Sequence, residues 1–342
     1  MSELTMALLW YLIIGACVIF YVALDGFDLG VGIMHLLTKK DEERRIFLNA
    51  IGPVWDGNEV WLVVFGGALF AGFPEVYATL FSGFYDFCMI LLAALIFRAV
   101  AIEFRSKRRS KGWRYTWDAI FSIASLLIAF GLGLAIGNLM NGIPLDKNEN
   151  FVGNFGIFFR PYPVLIGFFT VSLLMMHGSI YLTFKTEGHL HKRLRRWAIR
   201  SIVVFIAFFI LTTLMTWVHL PQMVDKFLET PWFLFVPLAA LCAILNVPRM
   251  FTRNQDGWAF LSSCFCIIFL FCVYGIGTYP NLVRSSIDPD QNSLTFYNSA
   301  ASALTLKVLL IIVVIGIPMV LGYGIIIYRI FRGKVKIGPS SY

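Results

Sequence analysis

Charge is scarce in this sequence: Asp, Glu, Lys and Arg together make up 14% of it, against 58% hydrophobic residues and a mean hydropathy of +0.76. Soluble domains carry about 25% charged residues, so this composition excludes them and points to an integral membrane protein. Polar linkers, internal repeats and low-complexity tracts are missing as well, and residues 1–342 read as a single transmembrane helical-bundle domain. Cysteine is sparse and unpaired. Its six copies, at 17, 88, 242, 264, 266 and 272, fall within apolar runs and form no CxxC pair, which excludes a disulfide framework and a zinc site and leaves packing as their role. Short alternating strands are absent too, which argues against a membrane β-barrel.

What the sequence has is long apolar runs. A helix needs about 20 residues to cross a bilayer, and nine candidate spans lie near residues 6–37, 51–73, 76–102, 116–141, 161–184, 198–219, 231–248, 257–280 and 303–331. The expected fold is an all-α bundle. The first run continues past the length of a signal-peptide core with no cleavage pattern, so it reads as a retained span.

Lys and Arg are distributed unevenly between the loops. Those after spans one, three, five and seven, with the C-terminal tail, hold 22 of the 28, whereas the other side has Lys147, Arg160, Lys226 and Arg284. The positive-inside rule then puts the N-terminus outside and the C-terminus in the cytoplasm. The net charge of +8 is mostly this topology signal, helped by attraction to anionic lipid. The run RSKRRSKGWR at 105–114 reads as a solvated loop rather than a nucleic-acid surface.

Against this background the stretch VALDGFDLGVGIM, residues 22–34, is anomalous. Asp25 lies about 28 Å along the first helix from Met6 at 1.5 Å per residue, near the cytoplasmic edge of the hydrocarbon core. Asp25, Asp28, Gly32 and His35 follow one another at steps of three and four and make a polar face. Gly26 and Gly30 form a small-xxx-small pair that lets another helix approach. One acid alone is accounted for by snorkelling or a backbone contact. Span two, however, begins GPVWDGNEVWLVVFGG, with Asp56 and Glu59 on a shared face and Asp56 also placed to complement the helix N-terminus. Span three carries Arg98 about a turn inside its cytoplasmic edge, where the guanidinium needs an acid or water, and Asp86 about three turns deeper.

Asp25, Asp28, Asp56 and Arg98 thus fall at similar depth, and clustering is the cheapest arrangement for all four. Such a cluster can relay protons, hold a cation or glue helices together. Glu59, Asp86, Trp55 and Trp61 are possible supporting residues, the two tryptophans chiefly in packing. His35, His177 and His219 raise the question of a haem, and the helices of His35 and His177 are the pair able to meet around one. A lone membrane histidine is more often a packing or hydrogen-bonding residue.

Seven motifs, DGFDLGVG at 25–32, WDGNEVW at 55–61, GGALFAGFPEVYATLFSGFY at 66–85, FR at 97–98, FRSK at 104–107, GNLMNGIP at 137–144 and YPNLVRSS at 279–286, resemble subunit II of the cytochrome bd-type quinol oxidases in order and spacing, from the first helix to the last. The resemblance implies a multi-pass protein of a bacterial cell (inner) membrane that pairs with a similarly folded subunit I. That partner carries haem b and haem d, quinol is the electron donor and O2 the acceptor, and small accessory subunits are possible. It also implies no metal ligand in this chain and a proton route from the cytoplasm through Asp25, Asp28, Asp56 and Arg98. The rival readings are a purely structural partner subunit and a proton-coupled transporter; the latter calls for inverted repeats, which the sequence does not show. One departure is the short loop HLPQMVDKFLETP between spans six and seven, where some relatives carry an insertion.

Overall fold

The computed structural model describes residues 3–338, and they form a helical bundle. In chain order the helices are α1 (Glu3–Met34), α2 (Asp41–Ile51), α3 (Trp55–Gly72), α4 (Pro74–Gly83), α5 (Tyr85–Phe104), α6 (Lys111–Asn141), α7 (Pro161–Lys185), α8 (Gly188–His219), α9 (Pro221–Glu229), α10 (Phe235–Thr252), α11 (Asp256–Thr278), α12 (Pro289–Asn292) and α13 (Ala303–Ile330). A two-stranded antiparallel hairpin, β1 (Asn281–Val283) and β2 (Leu294–Thr295), flanks α12. Among the described residues eight helices are long and apolar enough to cross a membrane, and α3 with α4, bent by 120° at their junction, brings the total to nine. The long helices alternate in direction, so the Lys- and Arg-rich connections gather at one end of the bundle, hereafter the basic end.

The bend corrects the expected borders of spans two and three. Pro74 has no N–H to continue α3 and its fixed φ suits a helix start, so residues 74–83 form a separate helix instead of the first turns of span three. Asp86 consequently sits in the first turn of α5, exposed, rather than deep in a span. At the basic end the chain also makes α2, whose first turn holds Asp41, Glu42 and Glu43, acids placed where they complement the N-terminal dipole.

α1 is the central post, packed against α3, α6, α7, α11 and α13. Its contact with α7 depends on two glycines. A Cβ on Gly30 would lie 1.9 Å from the Leu174 carbonyl oxygen, and one on Gly178 would lie 2.6 Å from the Gly30 carbonyl carbon. Backbones therefore touch where side chains would hold them apart. α13 is the opposite case, with Leu306 its sole buried residue among those described.

At the end away from the basic loops, two of the sequence motifs meet. The Ile143 N–H donates to the Arg284 carbonyl at 3.0 Å, and the Ser286 N–H to the Ile143 carbonyl at 2.8 Å. The short connection between α8 and α10 is ordered as α9, seated so closely on α11 that a Cβ at Gly277 would meet the Met223 methyl at 2.7 Å.

Candidate functional site

Two buried carboxylate clusters lie along α1. The first is built around Asp25 and Asp28, both with no exposed surface. Arg98, equally buried, reaches across from α5 and donates Nη1 to Asp25 Oδ2 at 2.8 Å and Nη2 to Asp25 Oδ1. This two-point geometry satisfies both carboxylate oxygens with a planar fork. Glu59 of α3 approaches the same guanidinium, Oε1 to Nη1 at 3.8 Å, with a side chain that is 20% exposed. One cation therefore faces more than one acid.

Asp28 turns towards α3. Its Oδ2 accepts from Asn58 Nδ2 at 2.7 Å, and the same amide nitrogen also contacts the Leu24 carbonyl at 3.2 Å. Asn58 Oδ1 in turn accepts from the Tyr328 hydroxyl of α13 at 2.9 Å. A polar line thus runs from buried Asp28 through Asn58 to half-buried Tyr328, near the basic end of α13. Three buried polar atoms around this cluster, Asp28 Oδ1, Arg98 Nε and the Tyr21 hydroxyl, have no partner among the described residues. Buried polar atoms are nearly always satisfied, so three together mark polar capacity beyond what packing requires.

The second cluster lies at the basic end and is centred on Asp118 of α6. Asp118 Oδ1 receives Arg105 Nε at 2.5 Å and His35 Nε2 at 2.6 Å, and Oδ2 receives Arg44 Nη1 at 2.9 Å. Arg105 also donates Nη2 to Asp41 at 2.7 Å, and Arg114 donates to the other Asp41 oxygen at 2.9 Å. Here both oxygens of the central acid are saturated.

The expected cluster is met in part. Asp25 and Arg98 pair directly and Asp28 lies one turn on, but Asp56 is exposed and does not join them. The α3 phase explains this, because it turns Asn58 and Glu59 to α1 and α5 and leaves Asp56 pointing outward. Trp61 stacks on Phe20 with ring centroids 4.5 Å apart, and Trp55 is buried among the residues around Val54 and Ile51. Asn58, Tyr328 and Asp118 were not singled out from sequence. Asn58 stood inside WDGNEVW and Asp118 inside an apolar span, which are usable signals, whereas Tyr328 offered none.

A haem ligated by this chain would need a histidine nitrogen free to bind iron. His177 uses both, Nδ1 with Ser263 Oγ at 2.7 Å and Nε2 with the Ala23 carbonyl at 3.0 Å. His35 Nε2 is held by Asp118, while its Nδ1 has no partner among the described residues and the ring packs between Phe47 and Phe121. The two histidines belong to different environments and do not face each other, and His219 is exposed at the far end of α8. His177 has no nitrogen left for iron, and the unpartnered Nδ1 of His35 has no second histidine facing it.

An α-helical bundle with an arginine-bridged acid cluster in its interior defines a class: a multi-span membrane protein with buried ionisable residues. Residues 6–331 match the family model described as cytochrome bd terminal oxidase subunit II. The chain is 33% identical over 360 residues to the cytochrome bd-I ubiquinol oxidase subunit 2 of Escherichia coli K12, covering 96% of this chain and 94% of that one. It is also 33% identical over 332 residues to the cytochrome bd ubiquinol oxidase subunit 2 of Bacillus subtilis 168, covering 96% of each. In fold it is similar to a chain of the bd oxidase of Geobacillus thermodenitrificans, with a TM-score of 0.79, 18% identity and coverage of 96% and 98%. The chain belongs to the cytochrome bd terminal oxidase subunit II family.

Proposed function

We propose that this chain, working as one helical-bundle domain, conducts protons from the basic, cytoplasmic end of the bundle to a haem-bearing subunit I, where O2 is reduced with electrons from quinol. Membership of the family makes it a membrane-embedded subunit of a quinol:oxygen oxidoreductase. The proton role and the pairing are inferences from its residues. Haem supplies the redox and oxygen chemistry of such a complex, and we assign that group to the partner, since both ring nitrogens of His177 are engaged here.

The observation that carries the proposal is the under-satisfied charge of the first cluster. Asp25 pairs with the single guanidinium of Arg98, which Glu59 also approaches, and Asp28, one turn on, has no cation of its own among the described residues. More negative than positive capacity in a low-dielectric interior calls for a counter-charge, and a proton is the one that can arrive and leave. Asp28 Oδ1 is unpartnered and available to take it. Tyr328 and Asn58 orient Asp28 from the cytoplasmic side. Arg98 holds Asp25 in place and keeps the cluster charged when the proton moves on. Glu59, partly exposed, and Asp56, exposed one turn away, lead out of the bundle on the α3 face, where a covering partner keeps these acids from lipid. The Lys and Arg imbalance supports the orientation, with the N-terminus outside and the C-terminus in the cytoplasm.

The test is carboxamide replacement at Asp28 and Glu59 in complexes that retain their haems. Oxygen consumption and proton uptake are expected to fall together by roughly a hundredfold, the lower end of the range for a positioned proton-transfer group. Wild-type rates in both variants would leave these acids as structural glue, the rival reading. A transporter role has no comparable support, since no bent helix pair other than α3 with α4 is present among the described residues.

A further inference from the structure

A cavity of about 350 Å³ opens at the end away from the basic loops, far from the acid cluster. α9 forms one wall with Gln222 and Lys226, and the turn after α11 and the following hairpin form the other with Asn281 and Arg284; Asp290 of α12 lies at its rim. This end of the bundle is poor in cations, so two of them converging on one cavity is unexpected. The other uses of basic side chains here differ: Arg160 donates to Asn138 Oδ1 at 3.2 Å and to the Gly142 carbonyl at 2.7 Å. Arg284 makes no side-chain hydrogen bond among the described residues, and Lys226 has only a 3.7 Å contact with exposed Glu229. Their donors are therefore uncommitted.

The cavity lies where a bilayer surface would reach. α9 buries Met223 and Phe227 and exposes Leu228, and the segment after it exposes Trp232 and Phe235 at 78% and 65%. Aromatic side chains at a helix end are the mark of the headgroup region, and an amphipathic helix beside them lies along the interface. A guanidinium and an ammonium suit a phosphate, while the Asp290 carboxylate at the rim suits an ammonium.

We propose that this cavity binds the phosphate of a phospholipid headgroup, with Arg284 and Lys226 on the phosphate and Asp290 favouring a zwitterionic, amine-bearing headgroup. The site takes no part in the proton route, so its fate is independent of that reading. The experiment uses the intact, delipidated oxidase complex and measures binding of short-chain phosphatidylethanolamine, short-chain phosphatidylglycerol and inorganic phosphate. Wild type is expected to prefer phosphatidylethanolamine. Arg284→Gln is expected to weaken both lipids about tenfold, the loss of one charge-assisted hydrogen bond, with turnover at saturating lipid unchanged. Asp290→Asn is expected to remove the preference for the amine while leaving phosphatidylglycerol bound. Equal affinity for inorganic phosphate would overturn the lipid source. Unaltered lipid binding in both Arg284→Gln and Lys226→Gln would overturn the phosphate site itself.

Discussion

The two buried acid clusters, one on α1 around Asp25 and Asp28 and one on α6 around Asp118, put carboxylates and guanidiniums to different ends. Around Asp118 two guanidiniums and an imidazole converge on one carboxylate, and both its oxygens are filled. Around Asp25 and Asp28 the ratio is inverted, with one guanidinium for several acids and a buried carboxylate oxygen left over. A saturated network rigidifies the segments it joins, whereas a partly satisfied one is high in energy unless it serves a purpose. The basic-end cluster ties α2 and α6 to the turns that follow α1 and α5. The inner cluster has the spare capacity that proton transfer requires.

Substitutions separate these roles. The largest effect is expected for Arg98→Ala, which strands Asp25 in the interior at a cost of about 3–5 kcal/mol. Assembly of the complex, followed by native gel and haem content, should be lost. Asp25→Leu combined with Arg98→Met removes both charges and should restore assembly without restoring full turnover. Asp118→Asn leaves Arg105 buried without its anion and should destabilise by about 3 kcal/mol, seen as a lower unfolding temperature. The complexes that do assemble should turn over at the wild-type rate. If they lose proton uptake as well, the division between the clusters fails.

Gly30→Ala tests the post itself. Its methyl has no room against the α7 backbone, and overpacking of this kind costs about 1–3 kcal/mol. The melting temperature should fall while the haem spectrum of the surviving complex is unchanged. A smaller effect is expected from Asp56→Asn, because that side chain is exposed and bonds to nothing in the cluster. Its unfolding temperature should stay within the range of an ordinary surface change, about 0.5 kcal/mol, and any fall in turnover should be smaller than that of Glu59→Gln, measured as oxygen consumption per haem.

The same comparison shows what a sequence can and cannot reveal. Arg98 with Asp25 was readable because a permanent cation in an apolar run has few affordable partners, and Asp25 lay at the matching depth. The Gly30 contact was readable from its spacing with Gly26. The Asp118 network was hidden by the topology signal. Arg44 and Arg105 count as loop cations in a positive-inside tally, yet Arg105 is 1% exposed and points inward. Charge counting sees which side a residue is on and not where its side chain turns. Asp56 misled for a related reason, since depth was right and helical phase put it outside. The link from Asn58 to Tyr328 spans 270 residues, and no local pattern carries a contact of that range. A break near Pro74 is legible in the span borders, but not that residues 74–83 form a separate helix, because both arms are apolar.

The most direct measurement compares proton uptake from the cytoplasmic side after an oxygen pulse in vesicle-reconstituted complexes carrying Asp28→Asn or Asp118→Asn, each normalised to haem. The account predicts uptake slowed about a hundredfold in Asp28→Asn and unchanged in Asp118→Asn, although the second protein is the less stable. Equal uptake rates in Asp28→Asn and wild type would contradict it.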